Sequence, residues 1–106
     1  MARALITAPK TAKRGEIIEI RTLIAHPMET GHRNDGQGRL VPRDIIRRLR
    51  CDHDGERVFE AELFPAIAAN PYLVFTTVAT ASGTLSLRWE GDNGFAQTET
   101  VAITVA

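Results

Sequence analysis

The chain has 106 residues, and 13 basic residues balance 13 acidic ones for a formal net charge of zero. This length suits one domain, and we expect residues 1–106 to form a single domain with its own core. A neutral chain offers no overall field for nucleic acid or an anionic membrane surface, so we expect neither as a partner. No apolar run approaches the ~20 residues of a membrane-spanning helix, which predicts a soluble protein.

The N-terminal stretch MARALITAPKTAKRG holds too short an apolar run for a signal peptide. Taken alone, it predicts a cytoplasmic protein. Cys51 is the single cysteine, which excludes an internal disulfide and means that any zinc site would need other ligand types.

The first clear element is a strand in EIIEIRTLIA, residues 16–25. Ile18, Ile20 and Ile24 are separated by two and four positions, so they share one face of a strand, which can pack on a core. The residues from Glu29 to Pro42 are mostly polar or glycine and show no sustained periodicity. They predict a long connecting loop.

The next segment, DIIRRLRC, predicts a second strand with Ile45, Leu49 and Cys51 on one face. The turn signal DHDG at residues 52–55 then predicts a hairpin into ERVFEAEL. FPAIAANP, residues 64–71, contains two prolines and predicts a crossover between sheets. Pro71 also predicts an extended backbone at Asn70.

Three further strands are predicted in YLVFTTVAT, TLSLRWE and FAQTETVAITV, separated by the turn sequences ASG and GDNG. Leu85, Leu87 and Trp89 share one face of the second of these. Six or seven strands without a convincing helix predict an all-β fold, an immunoglobulin-like antiparallel β-sandwich of about seven strands.

The segment HPMETGHRND, residues 26–35, contains three possible metal ligands: His26, Glu29 and His32. His53 or Asp35 is a candidate for completing such a site. This spacing brings side chains to one face only in a helix, which the proline and glycine of the segment disfavour. The pattern therefore favours a hydrogen-bonded polar loop, and a metal site stays open as the alternative.

Cys51 is a second candidate for chemistry, because the adjacent Arg50 favours a thiolate. A lone cysteine in a strand is more often a small buried hydrophobe, so the thiol alternative is the less favoured one. No Ser-His-Asp arrangement, phosphate-binding glycine loop or paired-carboxylate motif is recognisable, and we expect no enzymatic activity.

A local excess of positive charge lies between residues 39 and 50. Such a cluster suits an anionic ligand or an acidic partner, and equally a solvated strand face. Its members are Arg39, Arg43, Arg47, Arg48 and Arg50.

Four strings resemble the SoxZ family in order and spacing: HPMETG at 26–31, GQGRLVPRDII at 36–46, ANPY at 69–72 and ETVAITVA at 99–106. The resemblance extends from the KRGE turn at residues 13–16 to Ala106. Members of this family form one subunit of the SoxYZ carrier of bacterial thiosulfate oxidation.

The resemblance implies a non-catalytic scaffold subunit without a cofactor that pairs with SoxY, as a heterodimer or in a larger assembly, and meets other Sox enzymes transiently. It implies that SoxY carries the sulfur intermediates on a glycine-flanked C-terminal cysteine, which the end of this sequence does not have. It also implies a periplasmic location reached by export together with SoxY. Self-association of the isolated chain as a homodimer is a further expectation.

We predict that the HPMETGHR loop forms a recognition surface. Met28 would supply adaptable apolar contact, and the polar residues around it would supply charge complementarity. The predicted interface residues are His26, Pro27, Met28, Glu29, Thr30, Gly31, His32, Arg33, Asn70, Pro71 and Tyr72.

Overall fold

Two β-sheets pack face to face in the structure, a computed structural model that describes residues 3–106. In chain order the strands are β1 (Ala4–Thr7), β2 (Thr11–Ala12), β3 (Ile17–Ile24), β4 (Ile46–His53), β5 (Glu56–Glu62), β6 (Tyr72–Val78), β7 (Gly83–Gly91) and β8 (Ala96–Val105). One sheet has the order β1-β3-β6 and the other β2-β8-β7-β4-β5. This confirms the predicted all-β immunoglobulin-like sandwich. It has eight strands, because two short strands precede the first predicted one: β1 pairs antiparallel with β3, and β2 pairs in parallel with β8.

The core lies between the two sheets, where the alternating apolar residues of β3 and β7 meet. Six side chains predicted to share inward faces are all buried: Ile18, Ile20, Ile24, Leu85, Leu87 and Trp89. Burying a side chain of this size stabilises the fold by about 1.5–3 kcal/mol. Period-two alternation therefore identified the central packing of both sheets.

The DHDG turn joins β4 to β5 as predicted. Asp54 and Gly55 have φ values of 48° and 88°, and two successive positive φ angles define a type I′ hairpin turn. His53 and Glu56 pair across it. The Asp54 carboxylate accepts a hydrogen bond from the Thr84 amide at 2.9 Å, which ties the turn to β7.

The start of β4 departs from simple alternation. Its register against β7 shifts between Ile46 and Arg48, and both Ile45 and Ile46 are buried as a result. Leu49 and Cys51 then follow the predicted inward pattern. The bulge thus adds a second isoleucine to the core at the edge of the sandwich.

The predicted extended backbone at Asn70 is wrong, because its φ is 54°. Asparagine is one of the few residues that adopts this left-handed conformation readily. The Asn70 side-chain oxygen accepts a hydrogen bond from the His26 amide at 3.0 Å, and the Asn70 amide donates to the His26 carbonyl at 2.8 Å. These bonds outweigh the preference set by Pro71. The FPAIAANP segment nevertheless crosses between the sheets, as predicted.

The segment predicted as a long loop folds back on itself with antiparallel backbone pairing. Residues 29–44, which form this paired segment, are called the excursion. Glu29 and Asp44 exchange two backbone hydrogen bonds of 2.8 Å each, and a second bridge joins Asn34 to Leu40. At the tip, the Asp35 carboxylate accepts hydrogen bonds from backbone amides two and four residues later. The excursion is therefore ordered by its own backbone pairing.

Helical structure within residues 3–106 is limited to the 3₁₀ turn Asp92–Gly94 between β7 and β8. No helix in this part of the chain has the length and hydrophobicity needed to cross a membrane.

Gly91 gives a test of the contact between β4 and the end of β7. A Cβ added there would lie 2.4 Å from the Ile45 carbonyl oxygen, so the backbone must shift. We expect Gly91→Ala to lower the free energy of unfolding by about 1–3 kcal/mol in urea denaturation. Gly36→Ala is the matched control, because nothing lies within 4 Å of its added Cβ. Equal stability of the two variants would contradict this packing.

Candidate functional site

The two segments predicted to form the interface meet at one end of the three-stranded sheet. Residues 26–33 follow β3, and residues 70–72 lead into β6. The reciprocal hydrogen bonds between His26 and Asn70 join them across 44 positions of sequence. The structure therefore brings the two predicted segments into one region.

His26 is buried in this region, with 5% of its surface exposed. Its Nδ1 accepts a hydrogen bond from the Met28 amide at 3.0 Å, and its Nε2 lies 3.8 Å from an Asp44 carboxylate oxygen. The ring also packs edge-on against Phe95, with 4.9 Å between centroids. The imidazole is therefore fixed inside the fold and is unavailable as the surface contact predicted for it.

Met28 is buried as well, which corrects its predicted role as an adaptable surface contact. Its sulfur accepts a hydrogen bond from the Ile46 amide at 3.2 Å. Burial removes the apolar side chain from water, and the sulfur satisfies a backbone donor at the start of β4. Met28 is thus a core residue whose backbone, with φ 49°, belongs to a loop.

Glu29 and Arg33 form an ion pair on the surface of the excursion. Arg33 Nε and Nη2 donate to the Glu29 carboxylate at 3.1 and 2.9 Å. The hydrogen bonding from Arg33, together with its charge, lowers the pKa of Glu29 below its ordinary value. The exposed His32 donates its backbone amide to the Thr30 hydroxyl at 3.1 Å.

The three residues considered as metal ligands do not converge. His26 is buried against Phe95, Glu29 is paired with Arg33, and His32 lies on the surface. Over residues 3–106, no group of three or more histidine, cysteine, aspartate or glutamate side chains is placed to hold a metal ion. The geometry gives the metal-site alternative no support.

The remaining predicted interface residues differ in exposure. Pro27, Arg33, Asn70 and Tyr72 lie on the surface with His32, whereas Pro71 is buried. Gly31 has a φ of 87°, and a Cβ there would lie 3.1 Å from the Cβ of Arg43. Glycine therefore lets the two arms of the excursion pass closely. The exposed residues are the part of the predicted set that a partner can reach.

Cys51 lies in the core and is fully buried. It faces Phe59 of β5 and Leu87 of β7 across the sheet. Burial, with a smaller contribution from the charge of Asp52, raises the pKa of the thiol to about 11. A thiolate is scarcely populated at neutral pH in this environment, which argues against the thiol-bearing alternative.

Thiol labelling tests this placement. We expect the native protein at neutral pH to leave Cys51 unmodified and the unfolded protein to react with one equivalent of reagent. Because the folded pKa is raised above the value of 9.0 for an unperturbed thiol, stability should fall as pH rises from about 9 towards 11. Cys51→Ala should lack that part of the pH dependence. Rapid labelling of the native protein would contradict the burial.

The arginine-rich segment forms an ion-pair network instead of an open basic patch. Arg43 and Arg47 contact Asp92, with N–O distances of 2.9 and 3.3 Å. Arg48 lies 3.1 Å from Glu90, which Arg50 also contacts. Asp92 and Glu90 thus each pair with two arginines of the predicted cluster, which offsets part of its positive charge.

A cavity of about 310 Å³ opens beside this network. Arginines line it, but so do the carboxylates of Glu62 and Glu90 and the ring of Phe64. The mixed charge gives little net attraction for an anion.

Asp92 connects the start of β4 to the turn between β7 and β8. Its carboxylate accepts hydrogen bonds from the Ile45 amide at 3.2 Å and from Arg43 Nη2 at 2.9 Å. Burial raises the pKa of this carboxyl, but these two donors and the charge of Arg47 outweigh burial and lower the pKa below its ordinary value.

The lowered pKa of Asp92 has a consequence for stability. A carboxylate of this kind stabilises the fold above its unfolded pKa, and the contribution is lost as pH falls through the folded pKa. We expect Asp92→Asn to be less stable than wild type at neutral pH, with the difference shrinking below about pH 4. Urea titrations across this range measure it. Glu56→Gln at the exposed hairpin is the control, and a constant difference for Asp92→Asn at all pH values would contradict the charge interaction.

Comparison with known proteins gives a family match and several structural matches. The family model described as "Sulphur oxidation protein SoxZ" matches residues 6–102. A superoxide reductase (neelaredoxin) from Ignicoccus hospitalis is 19% identical, with a TM-score of 0.69 over 97% of this chain and 80% of that one. The sulfur carrier protein SoxY from Chlorobium limicola f thiosulfatophilum is 12% identical, with a TM-score of 0.67 over 97% and 78%.

A putative superoxide reductase from Thermotoga maritima gives a TM-score of 0.67 at 19% identity, over 97% of this chain and 85% of that one. At such identities these structures show a shared fold alone. No curated protein matches by sequence.

Proposed function

The chain belongs to the SoxZ family of sulfur oxidation proteins, and from this premise we propose that it is a non-catalytic subunit that pairs with SoxY. In this role it holds and presents the sulfur-carrying chain during thiosulfate oxidation. The supporting observation is the family match over residues 6–102. SoxY also shares the sandwich fold, so the proposed partners are two chains of similar architecture.

The chemistry of the described residues supports a binding role. Cys51 is buried with a raised pKa, His26 is held by hydrogen bonds and a ring contact, and Glu29 is engaged by Arg33. These three candidates for catalysis or metal binding are therefore held in structural roles within the chain. A sulfur-carrying thiol in the assembly would then be supplied by the partner.

The exposed part of the predicted recognition surface is proposed to contribute to the pairing: Pro27, His32, Arg33, Asn70 and Tyr72. The hydrogen bonds between His26 and Asn70 order this region before any partner arrives. Preorganisation of this kind reduces the entropy lost on association. Contacts between this region and other Sox enzymes are part of the same proposal.

We further propose that the complex works in the periplasm and that the chain is exported together with SoxY. This location follows from the family resemblance. Fractionation of cells that express both chains, with and without the signal sequence of SoxY, tests it. Loss of this chain from the periplasm together with SoxY is the expected result.

Mass spectrometry of the native complex tests the function itself. We expect a complex purified from thiosulfate-grown cells without reductant to contain SoxY with a sulfur adduct on its cysteine and this chain at its unmodified mass. Elemental analysis of the same sample should give no stoichiometric metal. A lone chain, an adduct on Cys51 or one bound metal per chain would each contradict the proposal.

A further inference from the structure

Large apolar side chains are concentrated on the outer face of the three-stranded sheet. Eight such residues are exposed within residues 3–106. Six of them lie on this outer face, which we call the sheet face: Leu5, Ile17, Leu23, Tyr72, Val74 and Val78. The exposed fractions reach 61% at Leu5 and 71% at Ile17. This arrangement is unusual, because isolated exposed hydrophobics are common but a single shared face of them marks an interaction surface.

Strand register groups four of the six apolar side chains at one end of the sheet face. Leu5 lies opposite Leu23, and Leu23 lies opposite Tyr72, so these three form a row across all three strands. Val74 follows Tyr72 on the same face of β6, and Ile17 lies opposite Val78 at the other end. Residues directly opposite in an antiparallel pair project to the same side.

The charged residues in the middle of the sheet face satisfy each other. Arg21 Nε donates to a Glu19 carboxylate oxygen at 2.5 Å, and both residues lie on the same side of β3. The interaction raises the pKa of Arg21, chiefly through that hydrogen bond. The sheet face therefore needs apolar surface and matching shape from its partner more than a compensating charge.

The outer face of the five-stranded sheet is different in character. Arg48, Arg50 and Arg88 surround Glu90 there, with ion pairs to its carboxylate. Such a face is well suited to water. The two outer faces of the sandwich are thus unequal, and only the sheet face leaves apolar area uncovered.

The apolar area is a large part of what a stable interface needs. The exposed fractions of the six side chains correspond to on the order of 600 Å² in total, divided by Glu19, Arg21 and Thr76 into a larger group around Leu23 and a smaller one at Ile17 and Val78. Each partner in a standard interface contributes about 800 Å². An interface of that size would therefore extend from the sheet face onto the residues around it.

The sheet face is not flat, because it contains two depressions. One of about 480 Å³ is lined by Leu5, Leu23 and Asn70 among others, and one of about 180 Å³ lies between Leu5, Arg21 and Tyr72. They flank the row of Leu5, Leu23 and Tyr72, where side chains of a partner can be seated. Such pockets at the centre of an interface are where binding energy concentrates. The larger one also joins the sheet face to the Asn70 region.

We propose that the sheet face is the surface on which SoxY packs, with a sheet of the SoxY sandwich laid against it. This inference rests on the proposed function and adds the location and character of the interface. SoxY has the same sandwich fold, and two sheets pack face to face about 10 Å apart when both faces are apolar. The occupant is therefore a second, non-identical sandwich that presents an apolar sheet surface.

Substitution on the sheet face tests the inference. We expect Val74→Glu to weaken binding to purified SoxY by about 30-fold or more, because it puts a second carboxylate opposite Arg21, which already pairs with Glu19, and one arginine cannot compensate both once water is excluded. Phe64→Glu is the matched control: Phe64 is 61% exposed but lies beside the arginine network of the five-stranded sheet, and the binding of this variant should stay within about threefold of wild type. Titration calorimetry gives the Kd values. Tyr72→Ser, which should cost about tenfold, is the second variant if Val74→Glu does not fold.

The outcomes separate this inference from the proposed function. If wild type binds SoxY and both Val74→Glu and Tyr72→Ser bind equally well, the sheet face is not the interface and the proposed function stands. If wild type does not bind SoxY, the proposed function itself fails. If Val74→Glu abolishes self-association of the chain without weakening SoxY binding, a second copy occupies the sheet face and the inference is overturned.

Discussion

A connected series of hydrogen bonds at one end of the sandwich holds the two sheets in their relative positions. Asn70 and His26 exchange two hydrogen bonds, the His26 ring accepts from the Met28 amide, and the Met28 sulfur accepts from the Ile46 amide. From the neighbouring Ile45, the series continues to the Asp92 carboxylate. It therefore passes from the entry of β6, through the exit of β3, to the start of β4 and the turn after β7. Most of these groups are shielded from water, where an unmade hydrogen bond is costly.

This series explains why residues that suggest chemistry serve structure here. A histidine and a methionine in a loop are often surface or ligand residues. In this fold they satisfy backbone donors where strands leave the two sheets. Asp92 also has a structural role, because its carboxylate forms ion pairs with two arginines and accepts a hydrogen bond from a backbone amide. In the excursion, Glu29 pairs with Arg33, and the Asp35 carboxylate binds two backbone amides.

The two outer faces of the sandwich differ in chemical character. The five-stranded sheet carries arginines and glutamates that neutralise one another and face water. The three-stranded sheet carries the apolar row of Leu5, Leu23 and Tyr72, which no part of the described chain covers. Such an asymmetry suits the proposed subunit role, because burial of apolar area drives association. Tyr72 belongs both to the sheet face and to the recognition residues predicted from sequence.

The sequence by itself determined six of the eight strands, the hairpin turn between β4 and β5, and the family. Alternation in β3 and β7 identified the core, and an Asp-Gly pair between strands selects one hairpin geometry for local steric reasons. Only the tertiary structure decided the burial of His26 and Met28, the left-handed Asn70 and the exposure of the sheet face. In β6 the sequence YLVFTTV is apolar on both sides, so alternation tells which residues share a face but not which face points inward. That choice depends on contacts between residues far apart in the chain, such as the 44 positions that separate His26 from Asn70, and local sequence patterns carry no information about them.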